Sequence, residues 1–148
     1  MNYKLSYEIK ELLDSQSSLD LEESNEEYII QGVYKYSLNY NNCIFQGERH
    51  IKLTVQKNFP NSIPKFYVFD YPEHMEHIYQ DGNVCLATTG EMIYFLHENP
   101  SLLAFLNKFI NSFISKIAIS ICTLFVLPAK ISELDLKYMS RLGLAYSF

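Results

Sequence analysis

The stretch RHIKLTVQKNFPNSIPKFYVFD, residues 49–70, predicts two strands separated by a proline-rich turn. Ile51, Leu53 and Val55 alternate with polar residues, and this period of two is typical of a strand with one buried face. The prolines in FPNSIP end the first strand, because proline has no N–H to donate to a neighbouring strand. KFYVFD then resumes the extended pattern, so the stretch indicates a sheet.

Two further strands are predicted upstream, where β-branched and aromatic residues dominate YIIQGVYKYSLNY and CIFQG. Residues 39–42 and the pair Gln46-Gly47 supply turn chemistry between the strands. Consecutive strands joined by short turns pair as an antiparallel meander. The sequence therefore predicts a four-stranded meander made of residues 28–40, 43–47, 49–59 and 65–70.

Helices are predicted on both sides of the meander. Apolar residues recur at helical spacing from Leu5 to Leu13, and the polar segment SQSSLDLEESNEE that follows has the composition of a solvated loop. Downstream, Asn99-Pro100 is typical of a helix start and precedes an apolar helical face that runs to Phe113. The order predicts an α+β fold with an N-terminal helix, the meander, an active-site loop segment and C-terminal helices.

The length and composition are those of one domain, because 148 residues of which 48% are hydrophobic can bury one substantial core. We predict a single domain over residues 1–148, with its core at about 3–114 and a C-terminal extension at 115–148. Two hypotheses account for the extension. It is either a continuation in a shifted reading frame or a helix capped by Ser132 and ended by Gly143.

Charge and cysteine content exclude several classes of function. The net charge is −5 and the cationic residues are scattered singly, whereas binding to nucleic acid needs clustered cations. The longest apolar run, IAISICTLFVL, is shorter than the roughly 20 residues that span a bilayer, so no membrane association is predicted. Three cysteines without a pairing pattern and an N-terminus without a signal-peptide run predict a reducing, cytoplasmic setting.

HIYQDGNVCL, residues 77–86, is the segment in which chemistry is expected. Asp81-Gly82 is a tight-turn signal, so HIYQ and NVCL are predicted to lie as neighbouring extended stretches. Cys85 follows this turn, where a large partner can reach its thiol. The alternative is that Cys85, between two aliphatic residues, is a small buried hydrophobe.

FPNSIPKFYVFD, HIYQDGNVCL and NPSLLAFLNKFI together resemble the ubiquitin-conjugating enzymes, which have the UBC-like fold. The resemblance covers roughly residues 3–114 and combines the proline-rich turn, a strand, a segment that ends in Cys-Leu and a helix opened by proline. It implies the UBC-like fold and an acyltransferase of the ubiquitin-conjugating type. In such an enzyme Cys85 carries an acyl group as a thioester, and we predict no cofactor and no metal.

Departures from the eukaryotic pattern indicate a subgroup. Eukaryotic members carry His-Pro-Asn where this chain has Met75, Glu76 and His77, and no tryptophan follows Cys85. A histidine before the DGNVCL segment is more similar to the prokaryotic ubiquitin-conjugating-like proteins of anti-phage islands, notably the cyclic-oligonucleotide-based signalling systems (CBASS). That resemblance implies a protein partner, either a cGAS-like nucleotidyltransferase or a ubiquitin-like protein, and an activating enzyme in a general conjugation pathway.

Cys85 needs a proton acceptor or a positive dipole nearby, because a free thiol is only a few per cent thiolate at neutral pH. His77 is the first candidate. Its imidazole either takes the thiol proton as a base or donates a hydrogen bond to the oxyanion. Asp81 either orients that imidazole or an incoming amine, or serves only as the turn former.

Three other functions fit parts of the same segment. His74, His77, Cys85 and His97 are zinc-type ligands, but they lack the short paired spacing of zinc sites. A cysteine protease needs the same Cys-His pair with an orienting Asn or Asp. A non-catalytic binding module of the same fold, such as an RWD-type domain, lacks the cysteine.

The resemblance also implies a docking face made of the N-terminal helix and the FPNSIP turn, where activating enzymes and ligases bind related proteins. Phe59 and Ile63 are either exposed apolar contacts of this face or core residues beneath the turn.

Overall fold

A computed structural model of the chain describes residues 3–40, 43–70, 76–116 and 144–147. In chain order its elements are α1 (Tyr3–Ser15), β1 (Leu19–Glu23), β2 (Glu27–Tyr40), β3 (Cys43–Gln56), β4 (Lys65–Val68), α2 (Thr89–Glu98), α3 (Leu102–Phe105) and β5 (Leu144–Ser147). A π-helical segment, Leu106–Ile110, continues α3, and the chain is helical as far as residue 116. His74, one of the zinc-type residues, and the helix predicted between Ser132 and Gly143 lie outside the described residues.

The strands form one antiparallel sheet in the order β1-β2-β3-β4. β2 and β3 make a long hairpin that pairs Glu27 with Gln56 at one end and Tyr40 with Cys43 at the other. β4 pairs with the second half of β3, and β5 pairs with its first half. The predicted α+β arrangement of an N-terminal helix, a four-stranded antiparallel sheet and C-terminal helices is therefore confirmed.

The division of the sheet into strands differs from the prediction in two places. Residues 19–23 form β1, although their polar composition predicted a loop. Only Leu19 of this strand is buried, so no apolar alternation marks it in the sequence. Gln46-Gly47, predicted as a turn, lies inside β3, because these residues pair with β2 on one side and with β5 on the other.

The helical region begins earlier than predicted. α2 starts after Thr88, within the segment predicted as an irregular loop. Asn99 ends α2, and Ser101 caps α3 by accepting a hydrogen bond from the Ala104 N–H. Pro100 thus lies between two helices. Among the helices of the described residues, none combines the length and the apolar character needed to cross a membrane.

The core lies between one face of the sheet and the helices. Ile51, Leu53 and Val55 are 5%, 1% and 0% exposed, which confirms the alternation predicted for β3. They belong to one apolar cluster with residues of α1, α3 and the π-helical segment, which are Leu5, Ile9, Leu12, Leu102, Phe105, Leu106, Phe109 and Ile110. Phe59 is buried in the same cluster, so it is a core residue beneath the proline-rich turn.

A buried carboxylate ties α1 to α3. Glu8 is 7% exposed, and its two oxygens accept hydrogen bonds of 2.7 Å from the Ser101 hydroxyl and from the Leu102 N–H. The Leu102 N–H lies in the first turn of a helix, where no carbonyl of the same helix can accept from it. The N-terminal helix is therefore held to the C-terminal helices by charge-assisted hydrogen bonds as well as by apolar packing.

Replacing Glu8 with alanine is expected to lower the free energy of unfolding by about 2 kcal/mol, because the buried N–H of Leu102 loses its acceptor. Urea denaturation followed by circular dichroism measures the change. Glu11→Ala is the matched control, since Glu11 is exposed on the same helix, and it should change the free energy of unfolding by less than about 0.5 kcal/mol. Equal stability of the two variants would contradict the role assigned to Glu8.

Candidate functional site

The site hairpin, residues 77–85, is a short two-stranded segment that lies against β4. Ile78 and Val84 face each other across it, and Asn83 pairs in turn with Tyr67 of β4. The neighbouring extended stretches predicted from HIYQ and NVCL are therefore present. The pairing with β4 anchors them to the sheet.

Asp81 and Gly82 make the turn of the site hairpin. The Asp81 carboxylate accepts a hydrogen bond of 3.0 Å from the Asn83 N–H, which is the turn-forming role. Gly82 has φ +85, and a Cβ at this position would lie 2.7 Å from the Val68 carbonyl oxygen, so glycine is required. Within the described residues, the Asp81 carboxylate makes no hydrogen bond to the His77 imidazole.

The hairpin places His77 directly opposite Cys85. The Cys85 N–H donates to the His77 carbonyl oxygen at 2.8 Å, so the two backbones are in contact across the turn. His77 has φ +67, in the left-handed region that residues with a side chain seldom adopt. This conformation costs roughly 1–2 kcal/mol in a residue other than glycine, and such strain is concentrated at functional sites.

The Cys85 side chain lies on the face of the hairpin that points away from the core. Val84 is 6% exposed and belongs to the core cluster, whereas Cys85 is exposed. Because successive side chains of an extended segment point to opposite faces, Asn83 and Cys85 share the outer face. The alternative that Cys85 is a buried hydrophobe is therefore wrong, and a partner can reach its thiol.

Between Cys85 and α2 the chain forms a capping box that was not predicted from the sequence. The Thr88 hydroxyl oxygen accepts from the Glu91 N–H at 3.3 Å, while the Glu91 carboxylate accepts from the Thr88 hydroxyl at 2.7 Å and from its N–H at 3.0 Å. These hydrogen bonds, the hydroxyl first and then the backbone N–H, lower the pKa of the Glu91 carboxyl. A threonine followed three residues later by glutamate was the sequence signal for this helix start.

A groove of about 340 Å³ lies between the proline-rich turn and α2. It is lined by Pro60, Asn61, Ser62, Ile63, Ile93, Leu96, His97 and Pro100. Ile93 is 56% exposed and Ile63 is half-buried, so both present apolar surface to solvent. Of the two residues whose exposure the sequence left open, Ile63 is accessible and Phe59 is not.

The three zinc-type residues that the structure describes, His77, Cys85 and His97, are not gathered in one place. His77 and Cys85 lie in the hairpin, whereas His97 is in the last turn of α2, where its Nδ1 is 3.1 Å from Oε1 of Glu98. In the part of the chain that the structure describes, no group of three or more His, Cys, Asp or Glu side chains is placed to hold a metal ion. The chemistry available in the hairpin is that of a thiol and an imidazole.

Nothing matches the chain in comparisons with models of protein families, with curated proteins or with solved structures. Its function is therefore inferred from its own residues, from the geometry of the site hairpin and from the resemblance of its sequence segments.

Proposed function

We propose that the chain is a cysteine-dependent acyltransferase of the ubiquitin-conjugating type, with Cys85 as the residue that carries the thioester. The proposal rests on the position of Cys85. Its side chain is exposed, a 2.8 Å backbone hydrogen bond holds it opposite His77, and the hairpin that contains both residues is paired with the sheet. The order of the elements supports it, since an N-terminal helix, an antiparallel meander, the site segment and C-terminal helices are the order of the UBC-like fold.

Acyl transfer at this site has two steps. In the first, the Cys85 thiolate attacks the carbonyl carbon of an activated C-terminus, and the leaving group departs with the electron pair of its bond to that carbon. In the second, an amine nitrogen attacks the thioester carbon and loses a proton, while the Cys85 sulfur leaves as a thiolate. His77 either takes the proton in these steps or donates a hydrogen bond to the oxyanion of each intermediate.

The proposed acyl donor is the C-terminus of a protein, because the thiol lies on an open surface that a large partner can reach. In a CBASS-type system the donor is the cGAS-like nucleotidyltransferase itself, and the primed enzyme makes more second messenger during infection. A ubiquitin-like protein is the alternative donor. For either donor, an activating enzyme converts the C-terminal carboxyl group to an acyl adenylate or a thioester. The proposed setting is the cytoplasm.

A trapping experiment tests the proposal. The purified chain is mixed with a peptide whose C-terminal glycine is a mercaptoethanesulfonate thioester, and intact mass spectrometry follows the adduct. We expect a single peptide on Cys85, loaded faster than on free N-acetylcysteine and removed by neutral hydroxylamine, because hydroxylamine cleaves thioesters and leaves amides intact. A chain that gains no hydroxylamine-sensitive adduct is instead a non-catalytic binding module with an exposed cysteine.

The groove between the proline-rich turn and α2 is the proposed docking site for the protein that delivers the acyl group. Of its apolar walls, Ile93 is exposed to solvent and Ile63 is half-buried. α2 begins four residues after Cys85, so a protein bound in the groove contacts the element that follows the thiol. Exposed apolar surface rimmed by polar residues such as Asn61 is typical of a protein-binding site.

Ile93→Ala is expected to slow the loading of Cys85 by a partner protein by about tenfold, because it removes an apolar wall of the groove. The measurement uses, as the partner protein, a cGAS-like nucleotidyltransferase or an activating enzyme that carries a ubiquitin-like protein. Tyr94→Ala is the matched control, since Tyr94 is 71% exposed but does not line the groove. Loading by the small peptide thioester should be the same in both variants, and equal effects of the two substitutions on the partner protein would rule out docking in the groove.

A further inference from the structure

The oxyanion formed during acyl transfer needs a hydrogen-bond donor, and the backbone N–H of Cys85 is already engaged. That N–H donates to the His77 carbonyl oxygen at 2.8 Å. A carboxylate accepts hydrogen bonds, and that of Asp81 accepts from the Asn83 N–H. Side chains on the outer face of the site hairpin are therefore the candidates for this donor.

Asn83 is placed for this task by the geometry of the hairpin strand. It lies two residues before Cys85 in an extended segment, so the two side chains project from one face with Cα atoms about 7 Å apart. The Asn83 backbone is fixed by its pairing with Tyr67 and by its bonds to the Asp81 carboxylate and the Tyr79 N–H. Its carboxamide makes no hydrogen bond among the described residues, so it is available to a ligand.

We propose that Asn83 is a second catalytic residue of this site, with its Nδ2 donating a hydrogen bond to the oxyanion. The inference rests on the proposed acyl-transfer function. A carboxamide is a neutral donor whatever the protonation state of His77, so the imidazole on the opposite strand is left to move the proton. The chain thus carries an amide donor on the strand of the cysteine, whereas the eukaryotic pattern has its asparagine where this chain has His77.

The loading step shows what this hydrogen bond does. The Cys85 thiolate attacks the carbonyl carbon of a thioester, and the π electron pair of the carbonyl moves onto its oxygen. The N–H of Asn83 stabilises that negative charge without transferring its proton. The electron pair then re-forms the carbonyl, and the thiolate of the donor leaves with the electrons of its carbon–sulfur bond.

Two reactions of the same thiol separate this role from a structural one. Acylation by the glycine mercaptoethanesulfonate thioester of a peptide passes through an oxyanion. Alkylation by iodoacetamide does not, since the thiolate displaces iodide from a saturated carbon. Asn83→Ala and Asn83→Leu are expected to slow acylation by about tenfold or more, the effect of losing one hydrogen bond to a charged group, and to leave alkylation unchanged. The leucine variant keeps the approximate shape of the side chain and removes the donor without adding a charge beside the thiol.

The rates of acylation and alkylation decide whether Asn83 donates a hydrogen bond to the oxyanion. Slower acylation with unchanged alkylation and an unchanged melting temperature supports Asn83 as the oxyanion donor. Acylation at the wild-type rate in either variant overturns it, as does an equal fall in acylation and alkylation, which reports a loss of access to the thiol. If the wild-type chain forms no hydroxylamine-sensitive adduct, the proposed function itself fails and the role of Asn83 with it.

Discussion

A Cys85→Ala protein is expected to form no thioester with an activated C-terminus, while it keeps the fold of the wild type. The loss should be complete, because the Cys85 sulfur forms the bond to the acyl carbon and alanine has no nucleophilic atom in its place. Intact mass spectrometry after incubation with the peptide thioester measures the adduct. Circular dichroism and the melting temperature check the fold, which an exposed side chain should scarcely influence.

The other two cysteines supply the control for this prediction. Cys43→Ala and Cys122→Ala proteins are expected to load the peptide like the wild type, because the cysteine of the DGNVCL segment is Cys85, and it lies opposite His77. An adduct on the Cys85→Ala protein as abundant as that on the wild type would show that another group reacts, and it would remove the basis of the proposed function.

Replacing His77 with alanine is expected to slow acyl transfer by on the order of a hundredfold, the scale of losing one general base or one oxyanion donor. His50→Ala is the matched control, since His50 is exposed on β3 and lies outside the site hairpin. Melting temperatures are measured with the rates, because alanine at φ +67 carries a strain of roughly 1 kcal/mol that the histidine already bears. A His77→Ala protein that transfers at the wild-type rate and melts like the wild type rules out the catalytic role.

Alkylation by iodoacetamide distinguishes the two roles that His77 can have. If His77 takes the thiol proton, His77→Ala slows both alkylation and acylation, because both reactions need the thiolate. If it donates to the oxyanion, only acylation slows. His77→Asn should recover part of the acylation rate in the second case and none in the first, and asparagine tolerates the positive φ of this position.

The parts of the fold that the sequence predicts are those set by local chemistry. The alternation of Ile51, Leu53 and Val55 marks the core-facing side of β3, because one face of that strand is buried along this stretch. Asp81 and Gly82 form the predicted turn, since the carboxylate binds the backbone two residues on and glycine adopts the positive φ. These interactions lie within a few residues of each other, so the sequence pattern is sufficient to reveal them.

The parts that the sequence did not predict depend on pairing between distant segments. β1 is held by its ladder to β2 and has only one buried side chain, so its own composition resembles a loop. Gln46-Gly47 stays extended because β2 and β5 flank it, and β5 comes from the far end of the chain. A local propensity is overridden in each case by hydrogen bonds to residues that a sequence window does not contain.

The geometry of the candidate site was predicted in part. The sequence predicts that Cys85 and His77 lie on neighbouring extended stretches across the turn, but it contains no signal for the left-handed backbone of His77 or for the engagement of the Cys85 N–H. The engagement of the Cys85 N–H follows from the register of the hairpin, which places residue 85 opposite residue 77. The role proposed for Asn83 also depends on this register. Because the Cys85 N–H donates to the His77 carbonyl oxygen, a side chain must supply the hydrogen bond to the oxyanion.

We propose that the hairpin makes Cys85 a catalyst of acyl transfer and not merely an exposed thiol. The most direct test is the ratio of its acylation rate constant, with the peptide thioester, to its alkylation rate constant, with iodoacetamide, compared with the same ratio for N-acetylcysteine. Because an oxyanion donor accelerates acylation alone, we predict that the ratio for Cys85 is larger by on the order of a hundredfold. A ratio equal to that of N-acetylcysteine would contradict the claim.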